Sequence, residues 1–201
     1  VLNSAKHVYF ESEVPNFDQQ NVNKDFLREL AGLSTNVENI FRIRNILLSK
    51  GIIFIIEPAL SGLRADGVTA KLFNSIPVIA LSLRYARLDN FWFTLLHELA
   101  HIYLHFVEMD AIIVEDLDVE AENRIEREAN LTAKYSFVSQ TTWANCRPRY
   151  ERSVNSVETY AREEGIHPSI VAGLLCRELN DYKLFSNLRN EIDVRELFNN
   201  Q

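Results

Sequence analysis

Sulfur is scarce in this chain of 201 residues, which has two cysteines, Cys146 and Cys176, and a single methionine, Met109. Two thiols far apart in unlike surroundings give neither a disulfide framework nor a thiolate metal site, so both are expected as free thiols. There is no apolar run of the roughly 18 residues needed to cross a bilayer, and no basic-then-apolar leader of the secretory kind. A soluble, cytoplasmic protein is therefore expected. Basic charge is also short, with 21 Lys and Arg against 28 Asp and Glu, a net charge of -7. A field of that sign repels phosphates and anionic headgroups, and no local basic cluster offsets it, so neither nucleic acid nor membrane is an expected partner. With 6 glycines and 5 prolines, the chain has no low-complexity tract, and no internal repeat is seen. The numbering opens at Val1, so a trimmed chain or a piece of a longer protein, with a domain upstream, is expected.

What is present is a hydrophobic content of 47%, enough for one core. A helix is expected around Asp25–Ala31, stopped by Gly32. The pair Thr35 and Glu38 reads as a capping box opening a second helix over the apolar positions Val37, Ile40, Phe41, Leu47 and Leu48. The β-branched run Ile52–Ile56, ended by Pro58, reads as a buried strand. Past turns at Gly62 and Gly67, Val68–Phe73 and Pro77–Leu83 flank the turn Asn74-Ser75, giving a small antiparallel sheet. A helix capped by Asp89 or Asn90 then runs to about Val107, apolar on nearly every side and therefore central. An acidic stretch from Glu108 to Asp118 leads to another helix, about Val119–Val138. The acidic run Glu108–Glu128 lacks the glycine and the ligand spacing of a calcium loop, and reads as a solvated face or a repeller of the wrong substrates. Beyond Pro148 only helices are expected, about Ser156–Glu164, Pro168–Asn180 and Glu191–Phe198. The fold class is α+β, with one domain over 1–145, of which 1–50 is a poorly defined helical part, and a helical subdomain over 146–201.

The central helix carries the chemistry, in the segment His97-Glu98-Leu99-Ala100-His101. Four residues on an α-helix turn through about 40° and rise roughly 6 Å, so both imidazoles can reach one ion. Zinc accepts neutral imidazole nitrogen, and a catalytic site needs three protein ligands with a fourth position left to water. Glu98 sits on the adjacent flank, where it could take a proton from that water and pass it to a leaving amine. Burying two histidines and a glutamate on such a helix is costly unless they are partnered, and a metal supplies the partner. The third ligand is sought among Glu120, Glu122, Glu126 and Glu128. On a helical wheel Glu128 falls in the arc of Ala121, Ile125, Ala129 and Thr132, and so is expected to point inward. The competing reading pairs Glu128 with Arg124. His105, one turn past His101, reads as a substitute ligand, a proton donor or a core-edge histidine. Strand Pro77–Ser82 reads either as an edge that holds an extended substrate or as an ordinary packed strand.

Two segments carry a resemblance. Phe93-Thr94-Leu95-Leu96-His97-Glu98-Leu99-Ala100-His101-Ile102-Tyr103-Leu104-His105 resembles the "FTLAHELAHLLLH" of the ImmA/IrrE metallopeptidases, and Glu128-Ala129-Asn130 with Ala133 resembles their "EANxFA". A weaker likeness lies at Gly165–Val171, similar to a "GIHPGIV" segment. The resemblance implies a zincin-like core, zinc (or manganese) on His97, His101 and Glu128, and Glu98 as general base. It further implies cleavage of a repressor or antitoxin type protein in stress response and transcription regulation, often beside a helix-turn-helix domain. Tyr135–Gln140 departs from the leucine-rich, proline-ended helix usual in the family, on the substrate side of the site. A non-enzymatic regulatory, antitoxin or DNA-associated module with a structural or vestigial metal site is the alternative. It draws on Val157–Glu164 and Pro168–Leu179 as a candidate helix-turn-helix.

Overall fold

A computed structural model describes residues 1–57, 66–73, 75–108, 113–115 and 124–199, without the side chains of 108 and 113–115. The chain opens with helices α1 (Leu2–Glu11), α2 (Lys24–Gly32) and α3 (Ile43–Leu48). Strands β1 (Ile53–Glu57), β2 (Gly67–Leu72) and β3 (Ile76–Ser82) follow, then the long helix α4 (Leu88–His105) and a short strand β4 (Ile113–Glu115). The rest is helical: α5 (Arg124–Phe137), α6 (Gln140–Ala144), α7 (Pro148–Glu151), α8 (Val154–Glu164), α9 (Pro168–Leu179), α10 (Ser186–Arg189) and α11 (Val194–Asn199). None of the described helices is long and apolar enough to cross a membrane. The expected features at Pro58, Gly62 and Asn74, and nearly all of the acidic stretch after Glu108, lie outside the described residues.

The strands make one sheet in the order β1-β3-β2-β4. Its β2/β3 pairing is antiparallel as expected, β4, a strand the sequence did not announce, pairs antiparallel with β2, and β1 pairs with β3 in parallel, from Ile53 opposite Val78 to Glu57 opposite Ser82. The cause is order in space: β2 lies outside β3, so the two strands that run the same way become neighbours. Strand β3 is thereby paired on both sides, which overturns its reading as a free substrate edge.

Period-two alternation divides the sheet between two cores. Phe54, Ile79 and Leu81 face α4, while Ile53, Ile55, Val78 and Ala80 face the other way, towards Ala5 and Val8 of α1. Being covered on both faces is why Ile52–Ile56 is apolar throughout. Helix α4 is the axis of the larger core. Its Trp92, Leu95, Leu96, Leu99 and Ile102 have no exposure and share a cluster with Leu27 and Leu30 of α2, Ala129, Ala133 and Phe137 of α5, and Val171 and Leu175 of α9. Each such side chain contributes roughly 1.5–3 kcal/mol by burial, a sum large enough to carry a few costly polar groups on the same helix. The far end of α4 is closed by Gln19, whose amide donates to the carbonyls of Ile102 (3.4 Å) and Tyr103 (3.2 Å).

Asn23, which accepts from the Phe26 amide at 3.1 Å, caps α2, and Gly32 ends it. The expected capping box at Thr35 is replaced: Thr35 donates to the Gly32 carbonyl, and Asn36 accepts from the Glu38 amide. A 3-10 segment, Val37–Arg42, then precedes α3. Nor does Asp89 cap α4. Its carboxylate takes Arg87 Nε at 2.9 Å and Arg189 Nε at 3.4 Å, which ties the start of α4 to α10.

Candidate metal centre

His97, Glu98 and His101 have no solvent exposure, and α4 presents the two imidazoles to one point. Their Nε2 atoms stand 3.0 Å apart, with ring centroids 4.7 Å apart at 78°. Into the same point comes a carboxylate from α5, but it belongs to Glu126: its Oε2 lies 3.4 Å from His97 Nε2 and 3.5 Å from His101 Nε2. Among the described residues His97, His101 and Glu126 form the one group with metal-ligand geometry. Ligand atoms held about 2.0–2.2 Å from a tetrahedral zinc are separated from each other by roughly 3.3–3.5 Å. The triangle of Nε2, Nε2 and Oε2 comes near that size, so these three side chains fit such an ion. A carboxylate buried beside neutral imidazoles costs several kcal/mol, and a dication is the partner that offsets it. His97 is held below the ordinary imidazole range, by burial first, with Glu126 opposing and the charges of His101 and Arg177 adding to the fall. A neutral imidazole is the form a metal takes.

Glu128, the third ligand expected from the sequence, does not reach the pair. Its Oε2 is 3.5 Å from His105 Nε2 and its Oε1 is 3.3 Å from Arg124 Nε, with the side chain 39% exposed. The competing pairing with Arg124 is therefore the observed one, and His105 faces Glu128. The error lies in the wheel. The buried side of α5 is Glu126, Ala129, Ala133, Ser136 and Phe137, a stripe with spacings of three and four. Ile125 is only half-buried, and Ala121 lies outside the described residues, so an arc drawn through those two is rotated away from the core. The signal that could have found Glu126 was Ala133 and Phe137 read backwards in steps of four and three.

Two residues of β2 hold Glu98 in place. Thr69 Oγ1 donates to Glu98 Oε2 at 2.5 Å, and Oε1 has no hydrogen-bond partner among the described residues. Burial pushes the Glu98 carboxyl up to about 8, with the Thr69 hydroxyl opposing and the Glu126 charge adding to the rise. Gly67, read from sequence only as a turn, permits this approach: a Cβ there would run into Glu98 Oε1 and sit 2.6 Å from Thr94 Cγ2. Gly67→Ala should therefore displace the Glu98 carboxylate. It is expected to leave the ion's affinity within about threefold while lowering turnover at least tenfold; loss of the ion instead would mean that Gly67 supports the helix as a whole. A drop of that size is what about 1.4 kcal/mol of misplacement produces.

A family model described as Peptidase_M78, IrrE N-terminal-like domain, matches residues 53–165, a span from β1 through α8 that contains the whole cluster. None of the curated proteins compared with the chain matches it.

Proposed function

The chain belongs to the IrrE N-terminal-like peptidase family, and we propose that it is a zinc-dependent, zincin-like endopeptidase that cuts a regulatory protein of the repressor or antitoxin kind in the cytoplasm. One observation carries the reading: His97, His101 and Glu126 converge within 3.0–3.5 Å of one another, beside a buried carboxyl held by Thr69. Zinc or manganese suits two imidazoles and one carboxylate. When bound, the ion polarises the scissile carbonyl and makes a water nucleophilic near neutral pH. Glu98 Oε1 takes the proton from the attacking water and gives it to the leaving amine, while Thr69 keeps Oε2 fixed. Burial favours this cycle, because a base whose pKa is raised towards the working pH both accepts and returns a proton.

An extended substrate needs a strand edge, and among the described residues the sheet ends at β4, which borders β2 from Gly67 opposite Glu115 to Thr69 opposite Ile113. The nature of the substrate rests on the ImmA/IrrE resemblance. Two free, buried thiols, Cys146 and Cys176, suit a reducing compartment. The DNA-associated alternative is disfavoured by α9, whose Ile170, Val171, Ala172, Leu174 and Leu175 are buried, because a recognition helix must be exposed to enter a groove.

The direct test is metal analysis of the purified chain after dialysis, with about one ion per chain expected. His101→Ala should lose both the ion and cleavage of a co-expressed repressor-type substrate. Unchanged metal content in that variant would end the proposal.

A further inference from the structure

Arg177 is unlike the other arginines around the start of α4. Its guanidinium lies 4.2 Å over the ring of Phe93, and Phe93 in turn lies one turn before His97, the two rings 6.4 Å apart and tilted by only 27°. A cation is thus seated two ring steps from the candidate metal centre. The residue is exposed, and among the described residues Asp89 and Asp66 act on its charge from a distance without an ion pair or hydrogen bond to it. Those acids have nearer cations: Asp89 is held by Arg87 and Arg189, and Asp66 lies 3.9 Å from Arg84, while the neighbouring Glu178 is held by Lys134 (2.8 Å), Arg149 (2.7 Å) and the Trp143 indole (2.6 Å).

The ground around it is shaped. A depression between α4 and α9 is lined by Asn90, Phe93, Gly173 and Arg177, with Asp89, already held by Arg87 and Arg189, at the same place. The two helices meet closely there, since a Cβ on Gly173 would sit 2.5 Å from Asp89 Oδ2. A planar guanidinium laid on an aromatic face has lost much of its rotamer freedom before any ligand arrives, and its outward edge matches a carboxylate with two parallel hydrogen bonds. The anion that a polypeptide brings to a peptidase is a carboxylate, from Asp or Glu or from the chain terminus.

We propose that Arg177 is the specificity residue of this site, binding a substrate carboxylate close to the cleaved bond so that acidic sequences, or a terminal carboxylate, are preferred. The inference rests on the metallopeptidase reading above. It concerns recognition alone and assigns Arg177 no part in bond cleavage.

The test uses zinc-loaded protein and peptide hydroxamates, which anchor on the ion without turnover, with dissociation constants read by calorimetry. One pair carries Asp or Asn beside the hydroxamate, and a second pair ends in a free carboxylate or its amide. The intact protein should favour one acid over its amide by about tenfold or more, and the pair that shows the preference identifies the carboxylate's source. Arg177→Gln should erase that preference while binding the neutral compounds as before, and Arg177→Lys should keep part of it. Equal binding of acids and amides by the intact protein, or a preference that survives in Arg177→Gln, overturns the proposal. Failure to bind any hydroxamate together with failure to retain zinc overturns the metallopeptidase reading, and this inference falls with it; retained zinc separates the two outcomes.

Discussion

Replacing Glu126 by glutamine is expected to strip the ion from the protein, lowering affinity by more than about 100-fold, while Glu128→Gln leaves metal content near one per chain. The contrast follows from position on one helix. Glu126 Oε2 lies within 3.5 Å of both His97 and His101, whereas Glu128 is bound to His105 and Arg124 at the protein surface. Partners that only orient ligands are worth about 10–100-fold in affinity, so a direct ligand should exceed that range. Competition with a chromophoric chelator measures the difference. Thermal unfolding gives a second reading. Ion at about 1,000 times its dissociation constant stabilises by about 4 kcal/mol, which for a chain of this size raises Tm by roughly 10 °C. That rise should be present in the parent protein and in Glu128→Gln, and absent in Glu126→Gln. The opposite pattern would return the third position to Glu128 and would require α5 to be rotated from the orientation described.

The reason Glu126 had to be found in the structure is local. The motif on α4 is legible because three polar residues interrupt a helix that is otherwise apolar all round, so their burial can be inferred without knowing what packs on them. On α5 the polar residues are the majority, and only the phase of a sparse stripe of alanines tells which acid turns inward; an error of two residues in that phase selects the wrong glutamate. The same limit appears in the sheet. The strands themselves were marked by Ile, Val and Phe, but the parallel pairing of β1 with β3 depends on β3 lying between β1 and β2, a fact that alternation does not encode. Helix α1, of which only Ala5 is fully buried, offered no stripe to read. Thr69 and Gly67 were invisible for a different reason, since their role exists only where β2 meets α4.

Glu98→Gln separates holding the ion from using it. The side chain lies off the His97, His101 and Glu126 triangle, so the amide should leave metal content at about one per chain, while removing a group that accepts and returns a proton typically costs 10²–10⁴ in rate. Stability should not suffer. In the metal-free protein burial raises the Glu98 pKa from 4.5 to about 8, so the folded state keeps a proton that the unfolded chain has already released. The sign follows from linkage: stability is full below about pH 4.5 and declines as pH rises towards 8, because ionisation favours the unfolded chain. Glutamine cannot ionise, and the metal-free variant should therefore lose less stability than its parent over that window, as denaturant midpoints at pH 5, 6.5 and 8 would reveal. A variant that kept full turnover would remove Glu98 from the reaction. One that lost the ion would make its contact with Thr69 a prop for the histidines instead of a device for moving protons.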